Sequence, residues 1–471
     1  MANGSLEIIK ISSHFVSECG FRLDATRYAA ASQAAEDFIN KSSKSNVLLG
    51  DISRIFCPAV SRRQYVERNY GVPFYSFSDC LELSPSDYPF ISKSFDDIES
   101  FRVDSKWVLT PRVGTIGQIV FTNESFKEVC VSDNVLRVVI DHKPTPEYLF
   151  CYLSSPIGLS LIIKNSAGTV QSLITEDNLR KIVVPLFPES IEKKITECIG
   201  EANTLRISAN FLLGNAENLV YNFNNLPSLN KNDAAWFDPD RNIESVLISS
   251  SEVLHNNRSG SEYRLDAHSY NPLAQLAIRN IKQSKCAVKT IDDVTERVFM
   301  CNRFKRNYVD EKYGVPFLSG KNIIQIRPTD LKYISLSETT DLDDLRLEAD
   351  WTLITRSGTI GRTCFVWKNY EDYTATEHIV RVVPNKEQID PGYLYAFMSS
   401  QYGKQQVLRF THGSVIDEVT DKQIKKVLIP LPSETEQKKI GDLVRTAYEK
   451  RAEAIRLEDE AQKILMDALT Q

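Results

Sequence analysis

From Glu189 to about Asn222, and again from Glu434 to about Leu469, apolar residues recur every three or four positions with no interrupting proline. In the first stretch they fall at Ile191, Ile195, Ile199, Ala202, Leu205, Ala209, Leu212, Ala216, Leu219 and Phe223; the second repeats the rhythm from Ile440 to Ala468. That spacing lays one continuous stripe along a helix, so two long helices are predicted. Ala202, Ala209 and Ala216 are seven apart, as are Ala447, Ala454 and Ala461. A small residue once per heptad lets two helix axes approach closely. The two helices are therefore predicted to pack antiparallel through these six alanines, as a coiled-coil-like spacer. The plainer alternative is that each helix packs only on its own globule. At 1.5 Å per residue each helix is about 50 Å long.

Ahead of each helix the pattern changes. Short apolar runs such as Ile182–Val184 and Val427–Ile429 are bounded by proline and read as strands. The segments EYLFCYLSSPIGLSLII, from Glu147, and GYLYAFMSSQYGKQQVL, from Gly392, read as helices punctuated by serine and glycine. Each front part is thus an α/β globule. The polar, Asn- and Pro-rich stretch 225–240 reads as a linker.

The chain is written twice. Phe21-Arg-Leu-Asp-Ala returns as Tyr263-Arg-Leu-Asp-Ala, and Gly71-Val-Pro-Phe returns as Gly314-Val-Pro-Phe. WVLTPRVGTIG from Trp107 matches WTLITRSGTIG from Trp351, and PLFPESIEKKI from Pro185 matches PLPSETEQKKI from Pro430. The offset drifts only from 242 to 245. A period this long marks a duplicated domain rather than a solenoid. The predicted organisation is an α/β domain at 1–185, a long helix at 186–224, the linker, a second α/β domain at 241–430 and a C-terminal helix at 431–471. GTIG, at 114–117 and 358–361, reads as a tight glycine turn between strands.

Composition narrows the class. Among 471 residues, 42% are hydrophobic and 25% charged, which excludes a disordered chain. The net charge of −6 excludes a uniformly basic nucleic-acid coat but not local basic patches. Nine cysteines, an odd number with no two within four residues, argue against a disulfide framework or a zinc ribbon and for a reducing compartment, the cytoplasm. No signal peptide or membrane span is expected.

Catalytic signatures are missing. There is no Gly-x-Gly-x-x-Gly after a strand, no Gly-x-Ser-x-Gly and no His-Glu-x-x-His, and the six histidines are scattered. The run from Gly314 to Asn322 imitates a phosphate loop, but it is one residue too long and Asn322 stands where Ser or Thr should be. Neither catalysis nor a metal is expected of this chain.

Binding chemistry is concentrated in the loops before each Gly-Val-Pro-Phe. The first offers Arg62, Arg63, Tyr65 and Arg68; the second offers Asn302, Arg303, Lys305, Arg306 and Tyr308. Residues 61–70 hold three arginines against Glu67. Residues 301–313 hold Arg303, Lys305, Arg306 and Lys312 against Asp310 and Glu311, so each loop is +2. Arginine chelates guanine O6/N7, asparagine chelates adenine N6/N7, and lysine or tyrosine holds phosphate. The plain alternative is a solvated charged loop. Ser76 in the first copy, and Lys321 and Asn322 in the second, follow the next strand and differ between copies, as do Asn134 and His378. Arg112 and Arg356 share the slot two residues before GTIG. A phosphate contact and a salt bridge holding the turn both suit them. The glycine turns near Gly168 and Gly413 also vary. Trp107 and Trp351 read as core.

With these blocks in order, the chain resembles the specificity (S) subunits of type I restriction-modification systems, the HsdS family. The carriers are the two GTIG turns, the two YL-x₃-(L/M)SS-x₂-G segments and the proline-leucine exits into EKKI and QKKI. The resemblance covers the whole chain, with Phe187 departing from the expected proline. It implies two target recognition domains, each reading one half of a bipartite, asymmetric double-stranded DNA target. It also implies helices that set the spacer and dock two methyltransferase subunits for adenine N6 methylation, with motor-nuclease restriction subunits as further partners. S-adenosylmethionine, ATP and Mg would then sit on those partners, and this chain would be a non-catalytic DNA-binding subunit. The alternatives are the specificity subunit of a stand-alone methyltransferase or another phage-defence complex, or a duplicated protein–protein scaffold that does not read DNA.

Overall fold

A computed structural model describes residues 35–39, 45–85, 88–140, 143–166, 172–229, 266–413 and 417–470. The Arg-Leu-Asp-Ala repeats, apart from Asp266 and Ala267, the turn at Gly168 and residues 230–240 of the linker lie outside these. The chain forms two compact units, one of Met1–Ile207 with Glu453–Gln471, the other of Ser208–Ala452.

The first unit carries β1 (Ser45–Leu48), β2 (Arg54–Phe56), β3 (Tyr65–Val66), β4 (Gly71–Tyr75), β5 (Phe90–Ser92), β6 (Val108–Pro111), β7 (Val120–Phe121), β8 (Cys130–Val131), β9 (Val135–Val139) and β10 (Val183–Leu186). The second carries β11 (Ala287–Thr290), β12 (Thr295–Phe299), β13 (Tyr308–Val309), β14 (Gly314–Leu318), β15 (Lys332–Ser335), β16 (Thr352–Thr355), β17 (Thr363–Phe365), β18 (Thr374–Ala375), β19 (Ile379–Pro384) and β20 (Leu428–Leu431). Sheet order β2-β9-β6-β7 recurs as β12-β19-β16-β17, and β3-β5-β4-β8 recurs as β13-β15-β14-β18. The pairs β1-β10 and β11-β20 recur in the same way. Adding ten to each strand number converts one domain into the other, so the duplication read from sequence holds strand by strand.

Strand β9 is buried along its whole length, Arg137 included, as an interior strand paired on both sides by β2 and β6. The turns between β6 and β7 and between β16 and β17 are the GTIG segments. Their glycines take φ of 88° and 97° in the first copy and 74° and 80° in the second, the left-handed region that glycine tolerates.

The apolar segment after β9 forms two helices, α1 (Pro146–Ser154) and α2 (Pro156–Asn165), bent by 76°. Ser155 ends the first and caps the second, accepting from the Gly158 amide at 3.2 Å, while Pro156 cannot continue the ladder. The two helices belong to the core of their unit. Among the described residues, no single helix is long and apolar enough to cross a membrane.

The long helices are α3 (Glu189–Phe223) and, after a second pair of short helices, α4 (Pro391–Ser399) and α5 (Gln401–Leu408), α6 (Glu434–Thr470). They pair antiparallel, and all six heptad alanines are at most 1% exposed. In the first unit, Ile195 and Ile199 of α3 share a core with Ala461, Leu465 and Ala468 of α6. There Arg206 also pairs with the buried Glu458. In the second unit, Ala216 and Val220 of α3 share a core with Ile440, Val444 and Tyr448 of α6. Arg451 donates to Asn210 there at 2.9 Å. Each helix therefore begins in the core of its own globule and ends in the core of the other unit, which displaces the alternative of packing on its own globule alone. The described start of the predicted linker is packed as well: Leu226 is buried, and the carbonyl of Pro227 accepts from the Tyr402 hydroxyl at 2.6 Å. All eight described cysteines are free.

Candidate nucleic-acid interface

The two basic segments occupy matched places, running from the β2–β3 connection through β3 to the start of β4, and from the β12–β13 connection through β13 to the start of β14. They are anchored alike: the Ser92 amide donates to the Gln64 carbonyl, and the Ser335 amide to the Asn307 carbonyl, both at 2.9 Å. Arg62, Tyr65 and Arg68 are exposed on the first loop, as are Asn302, Arg303, Lys305 and Tyr308 on the second. Tyr70 and Tyr313, also exposed, continue the aromatic series.

Arg63 and Arg306 differ from these neighbours because each is held. Arg63 donates to the carboxylate of Asp133, with Ser132 Oγ at 3.4 Å, and its guanidinium lies 5.0 Å from the Phe74 ring centre. Arg306 Nη2 lies 2.7 and 2.8 Å from the two carboxylate oxygens of Glu377 and 3.2 Å from Thr376 Oγ1. Its guanidinium is 5.7 Å from the Phe317 ring centre. Burial alone would push the Glu377 carboxyl up, but the hydrogen bonds from Arg306, from its own backbone amide and from Thr376 outweigh this and hold it below the usual range.

The segments that carry these carboxylates are fixed from beneath. Arg137, fully buried, donates to the carbonyls of Ser132, Val135 and Val131 at 2.9, 2.5 and 2.6 Å. Arg381 does the same for Thr376, Ile379 and Ala375 at 3.3, 2.9 and 2.5 Å. Burial drives the Arg137 guanidinium down to about 10 and lowers Arg381 as well. Asp133, Arg137 and Arg381 escaped the sequence analysis. The signal was present, since VSDNVLRVV at 131–139 and ATEHIVRVV at 375–383 form one more repeated block.

Other expected site residues have internal work. Asn322 is buried, accepts from the Ser319 amide and hydroxyl, and donates to Gln325 Oε1 and the Thr329 carbonyl at 3.2 and 2.8 Å. It shapes its loop and does not face solvent. Arg356 is also buried, paired with Glu418 and donating to the Val419 carbonyl at 3.1 Å, which is the turn-holding salt bridge rather than an open phosphate contact. Arg112, its half-buried counterpart, reaches Cys57 Sγ at 3.8 Å. Glu176 hydrogen-bonds the same thiol, which burial and that neighbouring carboxylate push up to about 11. Ser76 is exposed and caps a short helix in a box with Asp79. Lys321 is exposed, 3.3 Å from Asp330. His378 is half-buried, with Nδ1 3.0 Å from Ser357 Oγ, and Asn134 is exposed. Trp107 and Trp351 are half-buried against their cores.

The class so defined is a tandem α/β protein with two basic, aromatic loops and a shared pair of long helices. A family model described as the type I restriction modification DNA specificity domain matches residues 42–201 and again 283–458. The chain belongs to this family and is a type I restriction-modification specificity subunit, a protein of DNA sequence recognition. Solved structures of similar fold include an S subunit of a type I restriction-modification system from M. genitalium, at 12% identity. That match has a TM-score of 0.28 and covers 91% of this chain and 96% of that one. An HsdS subunit from Thermoanaerobacter tengcongensis is 14% identical with a TM-score of 0.27, covering 90% and 96%. A third, from work on complex assembly and conformational transition of the type I R-M system, is 15% identical with a TM-score of 0.28, covering 90% and 97%. No curated protein matched the chain.

Proposed function

We propose that each α/β domain reads one half of a bipartite, asymmetric double-stranded DNA target. The observation that carries this reading is the pair of +2 loops, held at the same place on the same scaffold yet built from different residues. Identical frames with unlike loops suit two unlike half-sites. In this reading Arg62, Arg68, Lys305 and Lys321 hold phosphate, while side chains at the loop centres meet base edges. The paired long helices act as the ruler between half-sites and as the docking surface for two methyltransferase subunits, which methylate adenine N6. S-adenosylmethionine belongs to those subunits. ATP and Mg belong to motor-nuclease subunits where restriction accompanies modification.

The test is equilibrium binding of the full chain, assembled with its methyltransferase subunits, to duplex DNA across a salt series. If Z phosphates are neutralised, log K falls with log salt at a slope of about −0.9Z. A flat salt response contradicts the reading.

A further inference from the structure

We propose that Arg63 and Arg306 are the guanine-reading side chains of their respective half-sites, and that Asp133 and Glu377 are the positioning residues that hold them ready. The proposal deepens the DNA-reading function above and rests on it.

A surface ion pair between flexible side chains contributes little and fixes nothing. Here each carboxylate is nearly closed off, with 3% of the Asp133 side chain and 8% of the Glu377 side chain exposed. The arginines remain partly open, at 27% and 33%. A carboxylate, a neighbouring hydroxyl and the face of a phenylalanine hold each guanidinium, and Nη1 of Arg63 also donates to the Tyr65 hydroxyl at 3.4 Å. A fully buried arginine in turn fixes the backbone that carries the carboxylate. The whole arrangement occurs twice, with Asp exchanged for Glu and Ser for Thr. Ordinary surface loops do not conserve such a relay between halves whose other loop residues have diverged.

The held arginines also border open space. Arg63 lines a cavity of about 590 Å³ with Arg62, Gln64 and Phe95. Arg306 lines one of about 480 Å³ with Lys321, Lys332 and His378. A guanidinium has five N–H donors, and the carboxylate and hydroxyl engage Nη2 in both copies. Donors remain for a planar partner with two adjacent acceptors. Guanine O6 and N7 are that partner among base edges, and arginine matches them bidentately. Fixing the side chain beforehand removes most of the rotamer entropy lost on binding, so the contact gains selectivity.

The experiment uses the full chain assembled with its methyltransferase subunits and selects bound sequences from randomised duplexes. The wild-type complex is expected to select a two-part motif with a required guanine in each half. Arg306→Ala and Glu377→Gln relax that guanine in one half and leave the other half as in wild type. Arg63→Ala and Asp133→Asn do the converse. Replacing the required guanine with 7-deazaguanine, which lacks the N7 acceptor, lowers wild-type affinity by about 5- to 150-fold. It costs the matching alanine variant nothing further. The intact half in each variant shows that the complex has folded. A half-site without a required guanine, indifference to 7-deazaguanine, or equal weakening of both halves makes the pair a latch within the domain and overturns the proposal. If the wild-type complex selects no two-part motif, the DNA-reading function itself fails, and this inference with it.

Discussion

Ala202 of one long helix and Ala454 of the other are both fully buried and share a small apolar cluster with Leu205 and Leu457. A methyl group is what this seam accommodates, which is why small residues recur there at heptad spacing. Ala454→Leu should overpack it and destabilise the chain by about 1–3 kcal/mol, read as a lower urea midpoint with an unchanged m-value. A neutral result would mean that the helices do not pack closely at this point.

The same seam carries the pair Arg206–Glu458, with 7% of the Glu458 side chain exposed. Arg206→Ala removes the guanidinium that pairs with this buried carboxylate and should cost about 1.5–3 kcal/mol, measured by denaturant unfolding. Removing both partners with Arg206→Met and Glu458→Leu should recover most of that loss, because no buried charge remains.

Glycine-to-alanine changes in the long helices should differ in sign. A Cβ at Gly441 would meet Asp390 Oδ1 at 1.9 Å. That carboxylate caps α4 through the Gly392 and Tyr393 amides and pairs with Arg445. Gly441→Ala should therefore destabilise the second unit by about 1–3 kcal/mol. A Cβ at Gly200 or Gly214 meets nothing within 4 Å. Alanine at either position should stabilise the helix by about 0.5–1 kcal/mol. Thermal unfolding of the three variants checks the reversal.

Glu377 gives the clearest pH dependence. Its folded carboxyl lies below the ordinary range, so the stability it contributes is fully present above the unfolded value of about 4.3 and is lost as pH falls through the folded value. The Tm advantage of wild type over Glu377→Gln should hold from neutral pH down to about 5 and narrow progressively as pH falls below about 4.3. An advantage that widens in acid would contradict the Arg306–Glu377 pairing.

The long helices were legible because one period persists for more than thirty residues and the alanines mark the contact face. The duplication was legible because five blocks keep their order. The sheets were less so. Strands β3, β8, β13 and β18 have two residues each, too few for any alternation to register. Helix α1 was separable from α2 only through the capping role of Ser155. Asn322 and Arg356 show the limit at the site, since residue type does not tell whether hydrogen bonds turn inward or outward. Asp133 lies 70 residues from the arginine it holds, beyond any local pattern, and only the repeated VSDNVLRVV block marked its place.

In the proposed function this chain supplies the sequence specificity of a DNA-modifying complex through two separate readers. The most direct measurement maps modified bases genome-wide in cells that express the associated methyltransferase, with and without this chain. N6-methyladenine confined to a two-part motif, present with the chain and lost without it, is the predicted result. A methylation pattern unchanged by loss of the chain would contradict the account.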